Sequence, residues 1–211
     1  MNLKEYYWFF ESALSSKTCD EIIKYGKKTK EENAFTGGVN PKLLKGKEKK
    51  ETLKKIKQKR NSNVAWLNDP WIFKEIHPYV HVANKSAGWN FEWDWTESGQ
   101  FTIYKKGQFY DWHCDSWSEP YHSPQNINWH NKYRKLSVTV SLNDSSEYEG
   151  GDLEFDFRNK EPGKKNLVKC HQIKPKGSIV VFPSFVWHRV RPVTKGTRYS
   201  LVMWNLGYPF K

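Results

Sequence analysis

A mainly β fold, two sheets packed as a jelly roll with helices buttressing one face, is what the 211-residue sequence predicts. Three observations lead there. From residue 89 onward the chain breaks into β-branched and aromatic segments separated by turn residues such as Asn143-Asp144, Gly150-Gly151, Pro162-Gly163 and Lys176-Gly177. Helical signals are confined to the part before residue 89. The segment KLSVTVSL alternates, with Leu136, Val138, Val140 and Leu142 on one face and Ser137, Thr139 and Ser141 on the other. One face therefore packs, and the other lines something polar.

Taken in order, YYWFFESAL reads as an opening strand, and SSKTCDEIIKYGKKTKEEN as a helix capped by Ser15 or Ser16 that buries Ile22, Ile23 and Tyr25. Residues 41–60, PKLLKGKEKKETLKKIKQKR, carry nine Lys and one Arg against two Glu and so hold much of the +12 net charge. That segment is either a solvated loop or frayed helix, or a contact surface for nucleic acid, ribosome or an acidic protein. NVAWL, 63–67, is a short strand. Asn68 or Asp69 then caps a helix with Pro70 in its first turn, running through WIFKEIHPYVHVANKSAG despite Pro78.

The strands follow: WNFEWDW, GQFTIYKK, QFYDWHCD, KLSVTVSLN, DLEFDF, KNLVKCHQIK, GSIVVFP, HRVRPV and RYSLVMWNL. With no internal repeat, the expectation is one domain over 1–211, with helical support to about residue 88 and a jelly-roll core over about 89–211.

Aromatic residues make up 16% of the chain, including 11 Trp, so a hydrophobic fraction of 37% still builds a core without covalent staples. Cys19, Cys114 and Cys170 have no paired spacing, which argues against a disulfide framework or a thiolate zinc site and favours a reducing compartment. The early apolar run YYWFF is too short for a signal-peptide core, and no stretch approaches the ~20 apolar residues of a membrane span. A soluble, cytoplasmic protein without membrane contact is expected.

FYDWHCDSW places His113 and Asp115 two residues apart, so in an extended segment both point to one side while Cys114 turns away. A metal site needs a third ligand, and His188 in VFPSFVWHRVRPV fits a position near a distant strand end. Two neutral imidazoles and a carboxylate on one face, leaving open positions, form the facial triad suited to non-haem iron(II). His77 and His81 stand four apart on a helix without a third ligand, His122 and His130 fall in an irregular loop, and His171 reads as a strand-surface residue. Ten residues beyond His188, Arg198 in TRYSLVMW is either a surface strand arginine or a two-pronged carboxylate partner.

Upstream, IYKKGQFYDWHCD spells Tyr-x-x-Gly-x-x-Tyr-x-x-His-x-Asp. Together with GGDLEF, GSIVVFP, the His188 and Arg198 pair, ALSSKTCDEII and RNSNVAWL, it resembles the prolyl 4-hydroxylase-like group of 2-oxoglutarate- and iron(II)-dependent dioxygenases, including PKHD-type hydroxylases, over most of residues 6–207. The resemblance implies iron(II) on His113, Asp115 and His188, the distal carboxylate of 2-oxoglutarate on Arg198, and a hydrogen bond to that co-substrate from Tyr104. Ser141 stands where some relatives place a co-substrate-contacting Tyr, and Thr139 would line the pocket.

Molecular oxygen is the second co-substrate that the resemblance implies, with ascorbate as an accessory. Halogenating relatives carry Gly or Ala where Asp115 stands, so the aspartate implies hydroxylation. Collagen-type relatives carry Lys where Arg198 stands, and RVRPVTKGTRYS lacks the Arg-x-Asn-x-x-x-x-Arg signature of the nucleic-acid demethylases. The expected partner is a protein or peptide hydroxylated on a prolyl residue, with a translation component suiting the basic segment. The loop 116–133 is either a substrate lid or a packed connection. Two alternatives stay open: the same chemistry on another side chain, a free amino acid or a nucleic acid, and a non-catalytic basic jelly-roll module that binds nucleic acid.

Overall fold

Strand alternation sorts the side chains into layers. The structure, a computed structural model, describes residues 3–34, 43–157 and 167–210. In chain order the elements are β1 (Trp8–Phe10), α1 (Ser16–Lys28), β2 (Glu32–Asn33), α2 (Gly46–Lys59), β3 (Arg60–Asn61), β4 (Asn63–Leu67), α3 (Pro70–Ser86) and β5 (Trp95–Thr96). Next come β6 (Gly99–Lys105), β7 (Phe109–His113), β8 (Tyr133–Ser141), β9 (Tyr148–Gly150), β10 (Leu153–Asp156), β11 (Leu167–Lys169), β12 (Ile179–Pro183), β13 (Trp187–Val190) and β14 (Val193–Gly207).

A nine-stranded sheet runs β1-β12-β8-β14-β6-β4-β2, with β5 and β9 each paired to β14, and a five-stranded sheet runs β11-β10-β13-β7-β3. This is the mainly β jelly roll that the sequence predicts. The outer face of the large sheet supplies Phe101, Leu136, Val138, Val140, Ile179, Leu201 and Met203 to a core shared with Ile22 of α1 and Ile72, Ile76, Val80 and Ala83 of α3. Alternate residues of the same strands, Tyr104, Val180 and Phe182, point inward and join Leu153 and Phe155 in a second core between the sheets. Burying each of these large apolar side chains contributes about 1.5–3 kcal/mol.

Local chemistry explains the helices. Ser15 caps α1 by accepting the Thr18 N–H at 3.1 Å, and Pro70 occupies the first turn of α3, where its missing N–H costs nothing. The basic segment, described from residue 43, forms α2 with Ile56 as its one buried residue. It is a solvated helix rather than a loop, because only that side chain touches a core while its lysines stay in water.

Three strand expectations shrink. YYWFFESAL is extended only over Trp8–Phe10, WNFEWDW contributes only Trp95 to β5, and KNLVKCHQIK gives β11 followed by a 3-10 turn at His171–Ile173 that carries His171 away from any strand. In the second case the Asn84 side chain takes both backbone groups of Phe91, and Trp89 Nε1 donates to the Glu5 carbonyl, so the stretch is held by these bonds until the Asp94 N–H reaches the Leu206 carbonyl at 2.9 Å. The Pro162-Gly163 turn lies outside the described residues. Among the described residues no helix is long and apolar enough to cross a membrane, and Cys19, Cys114 and Cys170 are all free.

Gly26 is where α1 meets the sheet, and a Cβ there would come within 2.4 to 2.8 Å of the Phe101 ring, itself fully buried. Gly26→Ala should therefore destabilise by about 1–3 kcal/mol through overpacking, although alanine normally strengthens a helix interior. Denaturant midpoints of the two proteins check this, and a gain in stability would show that the contact is loose.

Candidate active site

The two histidines meet through sheet register. His113 ends β7 and is the direct cross-strand partner of His188 on β13, which brings their ring centroids to 4.1 Å. Asp115 lies just beyond β7, where its backbone N–H donates to the Ser184 carbonyl at 2.8 Å. That bond turns the carboxylate toward the histidines, with His113 Nε2 3.6 Å from Oδ1 and His188 Nε2 3.5 Å from Oδ2. Cys114 points away, donating its thiol to the Phe185 carbonyl at 3.1 Å.

The imidazoles are oriented by their own chain. His113 Nδ1 donates to the Asp111 carbonyl at 2.8 Å and His188 Nδ1 to the Val186 carbonyl at 2.9 Å. Each bond fixes the Nδ1–H tautomer and leaves the Nε2 lone pair facing Asp115, which is how metal-binding imidazoles are held. Burial and the neighbouring His188 push His113 well below the usual histidine range, so it is neutral. Burial alone would raise Asp115, but the electrostatic pull of its neighbours, Arg134 among them, outweighs it and lowers the carboxyl below the usual carboxylate range. Ser137 Oγ donates to Asp115 Oδ2 at 2.7 Å and lies 2.9 Å from Ser184 Oγ. Among the described residues, His113, Asp115 and His188 are the one group of three whose ligand atoms, all within 4.8 Å of each other, could hold a metal ion.

These residues line a cleft between the sheets. Arg198, 2% exposed, lies opposite the triad; its Nη1 donates to Ser200 Oγ at 3.2 Å, and its buried Nη2 has no acceptor. Tyr104 is its cross-strand partner on β6, with the guanidinium 5.5 Å from the Tyr104 ring centroid. Close approach requires glycine at 151, where φ is +61° and a Cβ would fall 2.9 Å from Arg198 Cδ. Thr139 also lines the cleft. Ser141 is on the same face of β8, yet its hydroxyl bonds the Asn143 carbonyl at 3.4 Å, and its cross-strand partner Ser200 takes the place in the cleft.

The donor set fits iron(II), since two imidazoles and one carboxylate on one side leave positions for other ligands. The unpartnered Arg198 Nη2 fits a carboxylate, which a guanidinium binds with charge-assisted hydrogen bonds.

Several neighbours were not predicted. Arg134 pairs with Glu97 through two bonds, Nε to Oε1 at 2.7 Å and Nη2 to Oε2 at 2.6 Å, and stacks 3.8 Å from the Trp204 ring centroid. Trp204 closes the cleft beside Asp115. Tyr110 stacks on His113 with centroids 3.4 Å apart, and Arg60 covers its other side at 4.5 Å. Tyr110 falls in the quoted motif, Ser137 on the predicted polar face, and Arg60 heads the quoted RNSNVAWL segment without a role assigned to it; nothing local in the sequence marks Glu97 or Arg134. His77 instead bonds Thr96 Oγ1 at 3.0 Å and His81 stacks on Trp93, so neither joins a metal group.

The pattern that defines the 2OG-Fe(II) oxygenase superfamily matches residues 99–205, the stretch that carries all three candidate ligands and Arg198. The chain belongs to this superfamily. A PKHD-type hydroxylase of Xylella fastidiosa (strain 9a5c) is 32% identical over 111 residues, 50% of this chain and 42% of that protein, and one of Synechococcus sp. (strain CC9311) is 42% identical over 74 residues, 35% and 30%. The matched stretch thus spans less than half of these curated relatives.

The solved viral collagen prolyl hydroxylase of Paramecium Bursaria Chlorella virus-1 superposes with a TM-score of 0.63 at 22% identity, covering 97% of each chain. A Pseudomonas putida prolyl-4-hydroxylase superposes at 0.61 and 15% identity, covering 96% and 92%. A Trichoplax adhaerens prolyl hydroxylase, solved with a hypoxia inducible factor peptide fragment, gives 0.56 at 17%, covering 96% and 84%. At these identities the likeness is one of fold, and it agrees with the jelly roll described above.

Glu97 is buried and Arg134 partly so, with side chains 3% and 14% exposed. Glu97→Ala would leave the guanidinium unpaired and should cost about 3–5 kcal/mol of stability, measured by denaturant unfolding of the metal-free protein. A loss under about 1 kcal/mol would mean that water replaces the carboxylate, as at an exposed pair.

Proposed function

We propose that this chain is a 2-oxoglutarate- and iron(II)-dependent dioxygenase that hydroxylates an unactivated C–H bond, with a prolyl residue of a protein or peptide as its substrate class. One observation carries the reading. His113, Asp115 and His188 converge in a single cleft with a buried arginine, Arg198, whose Nη2 has no partner. A structural ion-binding site would not need the arginine, and a surface arginine would not be 2% exposed. The names of the relatives support the substrate class, since they include PKHD-type and prolyl hydroxylases and one is solved with a peptide. Three free cysteines fit a reducing, cytoplasmic setting.

In this reading His113, Asp115 and His188 hold iron(II), and Arg198 holds the distal carboxylate of 2-oxoglutarate with Tyr104 and Thr139 beside it. Iron(II) with 2-oxoglutarate and O2 supplies the oxidising power, so that one oxygen atom enters the C–H bond and the other leaves in succinate, with release of CO2. The chain supplies orientation and dryness. The Asp111 and Val186 carbonyls hold the Nδ1–H of each imidazole and so turn each Nε2 toward the metal position, and Ser137 fixes the carboxylate. Leu153, Val190 and Trp204 exclude water from the wall of the cleft. Beyond the triad, the irregular segment 116–133 is pinned by Tyr121, whose backbone bonds Lys132 and Asn131, while Trp117 and Ile127 stay 45% and 76% exposed. Those two apolar side chains support its role in positioning a substrate.

Succinate formation from 2-oxoglutarate, dependent on iron(II) and O2, tests the reading. His113→Ala and His188→Ala should each abolish it while melting as wild type does without metal; wild-type turnover in both would remove the triad assignment. Arg198→Ala should weaken 2-oxoglutarate binding at least about tenfold with metal affinity unchanged, because losing one partner of a buried charge pair costs about 2–5 kcal/mol. Arg198→Lys should recover part of that loss, as it keeps the charge without the fork. Unchanged affinity in the alanine variant would reject 2-oxoglutarate as the ligand of Arg198.

A further inference from the structure

Arg198 is not the only buried cation with a free donor in the cleft. Arg60, on the two-residue strand β3, is 5% exposed and lines the same cleft as the triad. Its Nε donates to Ser62 Oγ at 2.9 Å and its guanidinium lies over Tyr110, but its buried Nη2 has no acceptor. Arg134, by contrast, is paired with Glu97 through two bonds. Arg60 forms no such pair among the described residues.

Resting on the oxygenase reading, a charge count decides what Arg60 awaits. Asp115 offsets Arg198, and the 2-oxoglutarate dianion offsets iron(II). Arg60 is left over as one positive charge beside the metal ligands, stacked through Tyr110 on His113. It also continues directly from α2, whose last turn carries Lys57 and Lys59, so a cationic helix leads to the cleft wall. Long-range attraction along the helix and a desolvated guanidinium at its end would act on the same sign of ligand.

We propose that Arg60 is a specificity-determining residue that binds a carboxylate of the substrate, and that the substrate is an acidic peptide docked along α2. A single free guanidinium nitrogen in a closed cleft suits one carboxylate beside the reacting residue. A nucleic acid would spread several phosphates over exposed cations.

The test uses the full chain loaded with manganese(II) and N-oxalylglycine, so that binding is read without turnover. The probes are short proline-centred peptides carrying Asp or Glu at each flanking position, their Asn or Gln counterparts, free aspartate, glutamate and proline, and a single-stranded oligonucleotide. At one position the acidic peptide should bind about tenfold or more tightly than its amide counterpart, and Arg60→Gln should erase the difference. Arg60→Lys should keep part of it, and Lys54→Glu with Lys57→Glu should weaken acidic peptides in a salt-dependent way.

Arg60→Gln should change 2-oxoglutarate affinity, titrated without peptide, less than about twofold, the size of change expected of a residue outside the co-substrate site. Arg60-dependent binding of the free amino acids alone would overturn the acidic-peptide assignment. Survival of the acid preference in Arg60→Gln, absence of that preference from every probe, or loss of 2-oxoglutarate affinity in Arg60→Gln would each overturn the proposal, as would oligonucleotide binding that alone depends on Arg60. Should the variant not fold, the lysine variant and the α2 double variant carry the same comparison. A wild-type chain that binds neither metal nor 2-oxoglutarate overturns the oxygenase reading instead, which separates the two failures.

Discussion

The site depends on one pairing, the register that sets His188 on β13 opposite His113 on β7. Side chains alternate along a strand, so a slip of one residue would turn either imidazole to the opposite face of its sheet and leave Asp115 without partners. Several contacts guard that register. Phe155 on β10 is the other cross-strand neighbour of His188, and Phe182 packs edge-on against its ring at 4.7 Å. Ser184 then accepts the Asp115 backbone N–H at the end of β12. The site is thus assembled by strand ends rather than by a local motif, and the apolar layers on both faces of the large sheet keep those ends in place.

Polarity inside the cleft follows from the same alternation. On β8 and β14 one set of side chains packs against α1 and α3, and the other set delivers Ser137, Thr139, Arg198, Ser200 and Trp204 between the sheets. The two sets cannot be exchanged independently, because every second residue on the same strand belongs to the other layer. A large sheet with helices on one face therefore carries a polar interior on the other without a separate scaffold. Glu97 and Arg134 make a closed pair at its edge, while Arg60 and Arg198 stay open.

Much of this was legible in the sequence because it is written in period two. KLSVTVSL announced a strand with two unlike faces, and the His-x-Asp spacing announced two ligands on one side. His188 and Arg198 could be placed because they belong to strands that the turn residues delimit. Other features were not legible. WNFEWDW has the composition of a strand, but the Asn84 side chain and the Glu5 carbonyl satisfy polar groups at its start, where no ladder forms. Ser141 shares a face with Thr139, but of it and its cross-strand partner Ser200 only the latter lines the cleft. Glu97 and Arg134 are far apart in sequence and meet only after β5 and β8 have both joined β14.

Arg60 is the least legible of all, since it closes a run of exposed lysines and looks like one more of them. What sets it apart is position: β3 pairs with β7, and that pairing inserts the guanidinium against Tyr110 while the preceding lysines remain in water. Burying a cation without a counter-ion is costly, and the cleft holds two arginines with unsatisfied donors. Anions that bind these donors relieve that cost. Ligands that satisfy these donors therefore stabilise the fold as they bind, in proportion to their occupancy. The cost of burying these cations and the recognition of anionic ligands are two consequences of the same buried charges.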